Sequence, residues 1–347
     1  MQTIRRVLWC LAGTLAVAAF ITHPSPAWAQ TNDPAKVRAA AEAGDRSAQR
    51  ALAVMYFTGQ GVEKDLSAAV KWTRQAAEGG LAEAQNDLGQ CYATGRGVTL
   101  DSAEAARWYR KAAEQGFALA QLRLAVCCEQ GAGVPLDPKQ AVKWYRKAAA
   151  QGNLAAQLAL GRAYYTGNGV KRNPGEAVTW LRKAAEQGDP VAQYYIGRCF
   201  ELGDALPQDA GQAVTWYRQA AVQGQAAAQN ALGMCFVRGQ GVPQSYPEAL
   251  QWFRKAAEQG LSAGQYQLGQ CCLKALGMKQ DRVEAYIWLN LAAAQGEGSA
   301  AKLRDELADQ LTREQVDEAQ ARARAFVPGQ PLPPAPAPAP GTNAPPP

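Results

Sequence analysis

Tryptophan recurs at positions 72, 108, 144, 180, 216, 252 and 288, a step of 36 residues each time, with no insertion between the first and the last. Glycine keeps the same step at 80, 116, 152, 188, 224, 260 and 296. Two ladders in register mean seven copies of one template, and a period of this length restricts the chain to a solenoid, a propeller or a comparable array. In such arrays each unit buries its apolar face only against its neighbours.

The template contains two helices. In its first half Ala48, Leu52 and Tyr56 fall at i, i+4 and i+8, and in its second half Ala69, Trp72, Thr73 and Ala76 fall at i, i+3, i+4 and i+7, each set marking one face of a helix. The second helix begins at 65, 101, 137, 173, 209, 245 and 281, where Asp, Asn or Ser offers a short side-chain oxygen to the free amides of the first turn. Glu104, Glu176, Glu248 and Glu284 follow three residues later and predict capping boxes. Pro138 and Pro174 sit in the first turn, where proline is tolerated. The glycine at 80 and its equivalents suit the left-handed residue that ends a helix. Paired glycines such as Gly59 and Gly61 would form a phosphate-binding loop only behind a strand. The chain has no strand-like alternation, so these are turns between packed helices. Ala205 and Ala275 break the pair in two units, and those turns are expected to differ in shape.

The repeats are placed at 45–80, 81–116, 117–152, 153–188, 189–224, 225–260 and 261–296. Because terminal units need polar lids, residues 30–44 are read as a linker and capping helix. Residues 297–327 are read as C-terminal capping helices, one carrying Leu303, Leu307 and Leu311 and the next starting at Thr312. From Pro328 to Pro347 the chain is rich in Pro and Ala and predicts a tail without regular structure.

Arg5 and Arg6, the apolar run Val7 to Ile21 and the triplet Ala27-Trp28-Ala29 have the order of an export signal. Cleavage after Ala29 is expected. The product has no membrane span and lies in an extracytoplasmic compartment, the bacterial periplasm or the medium. The single histidine, His23, lies within that signal, so the remaining chain lacks the commonest general base and metal ligand. No catalytic residue, metal site or cofactor is expected. The formal charge of +6 falls to about +4 without Arg5 and Arg6 (6 − 2), too little and too dispersed for nucleic acid.

Cys91, Cys127, Cys199, Cys235 and Cys271 occupy one position of the template, with Cys128 and Cys272 one residue later. Equivalent helices of adjacent repeats run about 8 to 10 Å apart, beyond the roughly 7 Å between α-carbons that a disulfide spans. Buried free thiols are expected.

The unit Ala-Gln-x-x-Leu-Gly-x-x-Tyr, Gly-x-Gly-Val, Asp, then Ala-x-x-Trp-Tyr-Arg-Lys-Ala-Ala-Glu-Gln-Gly closely resembles the Sel-one-like repeat, a relative of the tetratricopeptide repeat. The resemblance extends over all seven units. It implies an all-α, right-handed α/α superhelical solenoid of helix-turn-helix repeats with helical caps, whose first helices line the concave face. It also implies a non-catalytic, monomeric scaffold or adaptor that binds a protein or peptide. Some cysteine-rich relatives suggest an alternative, a cell-wall-associated protein that binds muropeptides or β-lactams with weak β-lactamase character. Ser299-Ala300-Ala301-Lys302 spells the Ser-x-x-Lys of such enzymes, but no Lys-Thr-Gly or Ser-Asp-Asn companion exists.

Seven copies of one template also show which positions the fold leaves free. The arginines at 74, 110, 146, 182, 218 and 254 do not vary and are read as a solvated face paired at i+4 with Glu78, Glu114, Glu186 and Glu258. The variable positions of the first helix align with Arg50, Ala51, Val54 and Phe57. In the later units they hold Arg162, Tyr165, Tyr194, Tyr195, Arg198, Glu201, Tyr266 and Gln270, and tyrosine and arginine carry much of the binding energy of protein interfaces. These eight residues are the candidate partner-binding groove.

Overall fold

A computed structural model describes residues 33–334; the segment expected to be an export signal and most of the proline-rich tail lie outside them. The described residues contain 17 α-helices and no strand. They fall into two compact units, one ending at Asn153 and one starting at Leu154.

The first unit opens with α1 (Pro34–Glu42). Three helix pairs follow: α2 (Arg46–Thr58) with α3 (Leu66–Glu78), α4 (Ala82–Thr94) with α5 (Ser102–Glu114), and α6 (Ala118–Gln130) with α7 (Pro138–Ala150). The second unit has four pairs: α8 (Leu154–Thr166) with α9 (Pro174–Glu186), α10 (Pro190–Leu202) with α11 (Ala210–Val222), α12 (Ala226–Arg238) with α13 (Tyr246–Glu258), and α14 (Ser262–Lys274) with α15 (Arg282–Ala294). It closes with α16 (Gly298–Ala308) and α17 (Arg313–Ala325). Leu307 is buried on α16, whereas Leu311 lies past the end of that helix, in the turn to α17.

Each pair packs around the same two positions. The leucine of the Leu-Gly step, or Ile196 in the fifth repeat, is fully buried in all seven repeats. In five repeats a glycine follows it and makes room for the residue after the tryptophan, while the first and third have Ala53 and Ala125. A methyl on Gly197 would come within 2.7 Å of the Tyr217 ring, and one on Gly233 within 2.6 Å of Phe253. The tryptophans themselves are mostly half-buried at the edge, with the lysine three residues on lying over the ring: Lys111 is 4.0 Å from the Trp108 centroid and Lys183 is 4.3 Å from Trp180.

Two glutamines of the template join the helices. The buried Gln193 donates to the Ala185 carbonyl at the end of the preceding second helix (3.3 Å) and accepts from the Gln223 amide at the end of its own (2.8 Å). Gln85 with Ala77 and Gln115, Gln121 with Ala113 and Gln151, and Gln229 with Ala221 and Gln259 repeat the arrangement. Every rung adds a second donor to a last-turn carbonyl that already accepts the N–H of the terminal glycine, as Ala185 does from Gly188 (3.0 Å).

Four local expectations are corrected. The second helices are capped by their Asp, Asn or Ser side chains, as Asp101 shows by accepting from the amides of Ala103 and Glu104, but the reciprocal glutamate bond is missing from them. Glu104 and Glu284 turn instead to Arg107 and Arg254, and the one full capping box described is Thr312 with Gln315. Ala205 and Ala275 keep the turn shape of the glycines they replace, with φ of 65° and 58°. The arginine column forms no i+4 ion pair with Glu78, Glu114, Glu186 or Glu258 among the described residues. Arg74 donates to the Tyr92 hydroxyl of the next repeat (2.7 Å), as Arg38 does to Tyr56 (2.6 Å), and Arg254 pairs with Glu284 (3.1 Å). Where the tyrosine slot holds Cys128, Phe200 or Phe236, the matching Arg110, Arg182 and Arg218 are exposed. Finally, the start of the proline-rich tail has a fixed place: Gly329 N–H donates to the Glu258 carbonyl (2.7 Å), Arg322 donates to the Pro333 carbonyl (2.9 Å), and Leu332 packs on the core.

Candidate functional site

The variable columns of the first helices are occupied differently in the two units. In the first unit they form polar bridges between neighbouring repeats. Arg50 on α2 pairs with the buried Asp87 on α4 (2.7 Å), and Arg123 on α6 donates to Asn86 Oδ1 (2.8 Å). Burial raises the Asp87 carboxyl above its ordinary value, while the Arg50 cation and its hydrogen bond pull the other way. These charges are therefore spent within the fold.

In the second unit the same columns carry aromatic rings. Tyr165 of α8 meets Tyr195 of α10 edge to face, with centroids 5.3 Å apart; Tyr195 meets Tyr194 at 5.5 Å, and Tyr194 lies 5.9 Å from Tyr217. All of these except the fully buried Tyr217 are half-buried. Arg198 donates to the Tyr194 hydroxyl (3.3 Å), and its Nε, buried but without a hydrogen-bond partner, stands 3.8 Å from Glu201. Burial raises the Tyr165 phenol. Arg162 is exposed, one turn before Tyr165 on α8.

Of the eight candidates, five form one connected group: Tyr165, Tyr194, Tyr195, Arg198 and Glu201. Glu201 serves the scaffold, because its Oε2 accepts the Tyr217 hydroxyl (2.6 Å) as Glu129 accepts that of Tyr145 (2.7 Å). Tyr194 packs partly against the core. Tyr266 and Gln270 lie two repeats further, on α14, half-buried and outside the group. Sequence reasoning missed Arg172, which lies 6.0 Å from the Tyr165 centroid, donates to the Tyr165 carbonyl and pairs with Asp204. It sits in the turn after α8, outside the first-helix columns that the repeat alignment searched.

Ser299 and Lys302 are both exposed, and Lys302 pairs weakly with Glu306 at 3.9 Å, so no buried base activates the serine. Among the described residues no group of His, Cys, Asp or Glu is arranged to hold a metal, and no helix is long and apolar enough to cross a membrane.

All seven cysteines of the described residues are free, six of them buried. Burial pushes the thiols of Cys199, Cys235 and Cys271 up to about 11 and that of Cys91 up to about 12. At pH 8 a thiol titrating near 11 holds roughly 200-fold less thiolate than free cysteine. Alkylation by iodoacetamide at pH 8 should accordingly be slowed by about two orders of magnitude in the native protein and released by urea. Rapid labelling of Cys199 or Cys235 without urea would contradict the burial.

Stacked helix hairpins closed by helical caps, with variable side chains on their first helices, define an α-helical repeat protein. The Sel1 repeat model matches residues 46–81, 82–117, 118–153, 154–189, 190–225, 226–261 and 262–297, and the chain belongs to the Sel1-repeat family. The matched frames start one residue later than those read from the glycine ladder. A Sel1 repeat protein from Oxalobacter formigenes is 36% identical, with 78% of each chain covered and a TM-score of 0.65. The protein c5321, a protective antigen of uropathogenic Escherichia coli with an SLR fold, is 31% identical over 84% of this chain and 78% of its own, with a TM-score of 0.42. No curated protein matches the chain. Proteins of this family are typically protein–protein interaction scaffolds.

Proposed function

We propose that this protein is a non-catalytic adaptor that holds a protein or peptide segment on the first-helix face of its second unit, centred on Tyr165, Tyr195 and Arg198. The contiguous half-buried ring group of Tyr165, Tyr195 and Tyr194 supports this reading, since it offers large, rigid contact area with hydroxyls at its rim. Among its described residues the first unit has no such group, and its equivalent positions are consumed by Arg50–Asp87 and Arg123–Asn86. Affinity capture from the organism's envelope with residues 30–347 tests the site. Replacing Arg162, Tyr165 and Arg198 together by alanine should abolish capture of a specific partner while leaving far-UV circular dichroism unchanged. Equal capture by the triple variant would remove the site.

We also propose that the chain works outside the cytoplasm, on the strength of Arg5, Arg6, the apolar run to Ile21 and Ala27-Trp28-Ala29. N-terminal sequencing of the protein recovered from the periplasm or medium should begin at Gln30. Recovery of the full-length chain in the cytoplasmic fraction alone would refute export.

A further inference from the structure

The first-helix face of the second unit carries a line of cations with almost nothing to neutralise it. Arg162 and Arg198 occupy the same column in repeats four and five. Arg238 and Lys274 occupy the column one helical turn later in repeats six and seven. Arg162, Arg238 and Lys274 are exposed and enter no ion pair among the described residues. The one carboxylate on α8, α10, α12 and α14, Glu201, is engaged by the Tyr217 hydroxyl and stands at 3.8 Å from Arg198. In the first unit these two columns hold no charge, being Val54, Gln90 and Val126 in one and Thr58, Thr94 and Gln130 in the other.

Two buried atoms on the same helices lack partners of opposite kinds. Arg198 Nε is a donor without an acceptor, and Asn230 Oδ1, on α12 in the column of Tyr194 and Tyr266, is an acceptor without a donor. In the first unit the equivalent Asn86 Oδ1 is satisfied by Arg123, but the residue that would serve Asn230 is Gln267 instead of arginine. The Arg198 side chain as a whole is 38% exposed, so a carboxylate can meet its cation at the surface, whereas Asn230 Oδ1 is closed to solvent and takes no part in binding.

We infer that this face takes an extended acidic peptide with a carboxylate at about every third residue, an inference that rests on the adaptor reading above. The spacing follows from the repeat. Adjacent first helices lie about 10 Å apart, and a chain extended as polyproline II advances about 3.1 Å per residue with every third side chain on one face, so three residues of peptide span one repeat. Four cations then call for about ten residues. Single-stranded nucleic acid is the competing polyanion, but the tyrosines are packed edge to face rather than with free faces for bases to stack on.

The test uses residues 30–347 and three fluorescein-labelled probes: the peptide Glu-Thr-Val-Glu-Thr-Val-Glu-Thr-Val-Glu, the same peptide with Gln for every Glu, and a ten-nucleotide oligothymidine. The acidic peptide should bind at least tenfold more tightly than the Gln peptide. Its affinity should fall at least tenfold in R162Q/R238Q/K274Q, whose three side chains are exposed and leave the core untouched. Equal binding of the two peptides overturns the acidic inference and leaves the adaptor reading standing. Failure of both peptides also overturns it, while the fate of the adaptor reading is decided separately by envelope capture with the Arg162/Tyr165/Arg198 variant. Tighter binding of the oligonucleotide than of the acidic peptide overturns it in favour of nucleic acid.

Discussion

Alanine at Gly133 should destabilise the first unit by about 3 to 5 kcal/mol, whereas alanine at Gly152 should cost about 1 kcal/mol, as measured by urea unfolding. Both residues are left-handed, with φ of 71° and 84°, so the conformational part of the penalty is shared. The surroundings differ. A methyl on Gly152 meets nothing within 4 Å, but one on Gly133 would sit 1.9 Å from the Ser102 carbonyl oxygen, and that is backbone of the preceding repeat, which no rotamer change can move. Gly97 and Gly241 meet Leu66 and Ala210 in the same way. The second glycine of each pair is therefore an inter-repeat contact as well as a turn residue. Equal losses for G133A and G152A would show that the turn conformation alone matters.

Arg50→Ala should cost about 3 kcal/mol at neutral pH, more than Arg50→Ala combined with Asp87→Ala. The single change strands a carboxylate whose side chain is only 8% exposed, and the double change removes it. Burial already raises the Asp87 carboxyl, and losing its cation raises it further. With the folded value above the unfolded value of about 3.8, the unfolded state releases its proton first, so stability falls as pH rises through that interval. The R50A deficit should thus be small near pH 4 and grow toward neutrality, with the double variant nearly flat. A deficit that does not change with pH would mean that Arg50 acts through packing alone.

The repeat period was sufficient to locate the helices, because N-caps, terminal glycines and apolar faces all recur with it. Side-chain partnerships were harder, since most link residues 16 to 37 positions apart. The i+4 rule assigned the arginines to glutamates on their own helix, yet Arg74 reaches Tyr92, 18 residues on, where a half-buried hydroxyl is a better partner than a solvated carboxylate. Glu201 looked variable and therefore free. Its partner Tyr217 follows the repeat tryptophan, a place also held by Thr73, Leu181, Phe253 and Leu289, and gave no sign of pairing. The tyrosine group was legible because Tyr165 and Tyr195 stand in columns that elsewhere hold Phe57, Glu129 or Asp87, positions without a common structural demand. Gln193 and Gln223 were illegible for the opposite reason: the first never varies and the second is replaced only by Gly79, and constancy within a repeat array says only that a position is needed, without saying by what.

Those glutamine rungs have a consequence for how such a chain can lengthen. Each one links a residue to partners eight positions before and thirty after it, so all its atoms fall within one repeat and the closing turn of the last. Duplicating or excising 36 residues between rungs regenerates the same bonds at the new junction and asks for no new packing solution. Unequal recombination can therefore add a module, and with it a fresh set of first-helix side chains, while the two end caps continue to seal an array of any count.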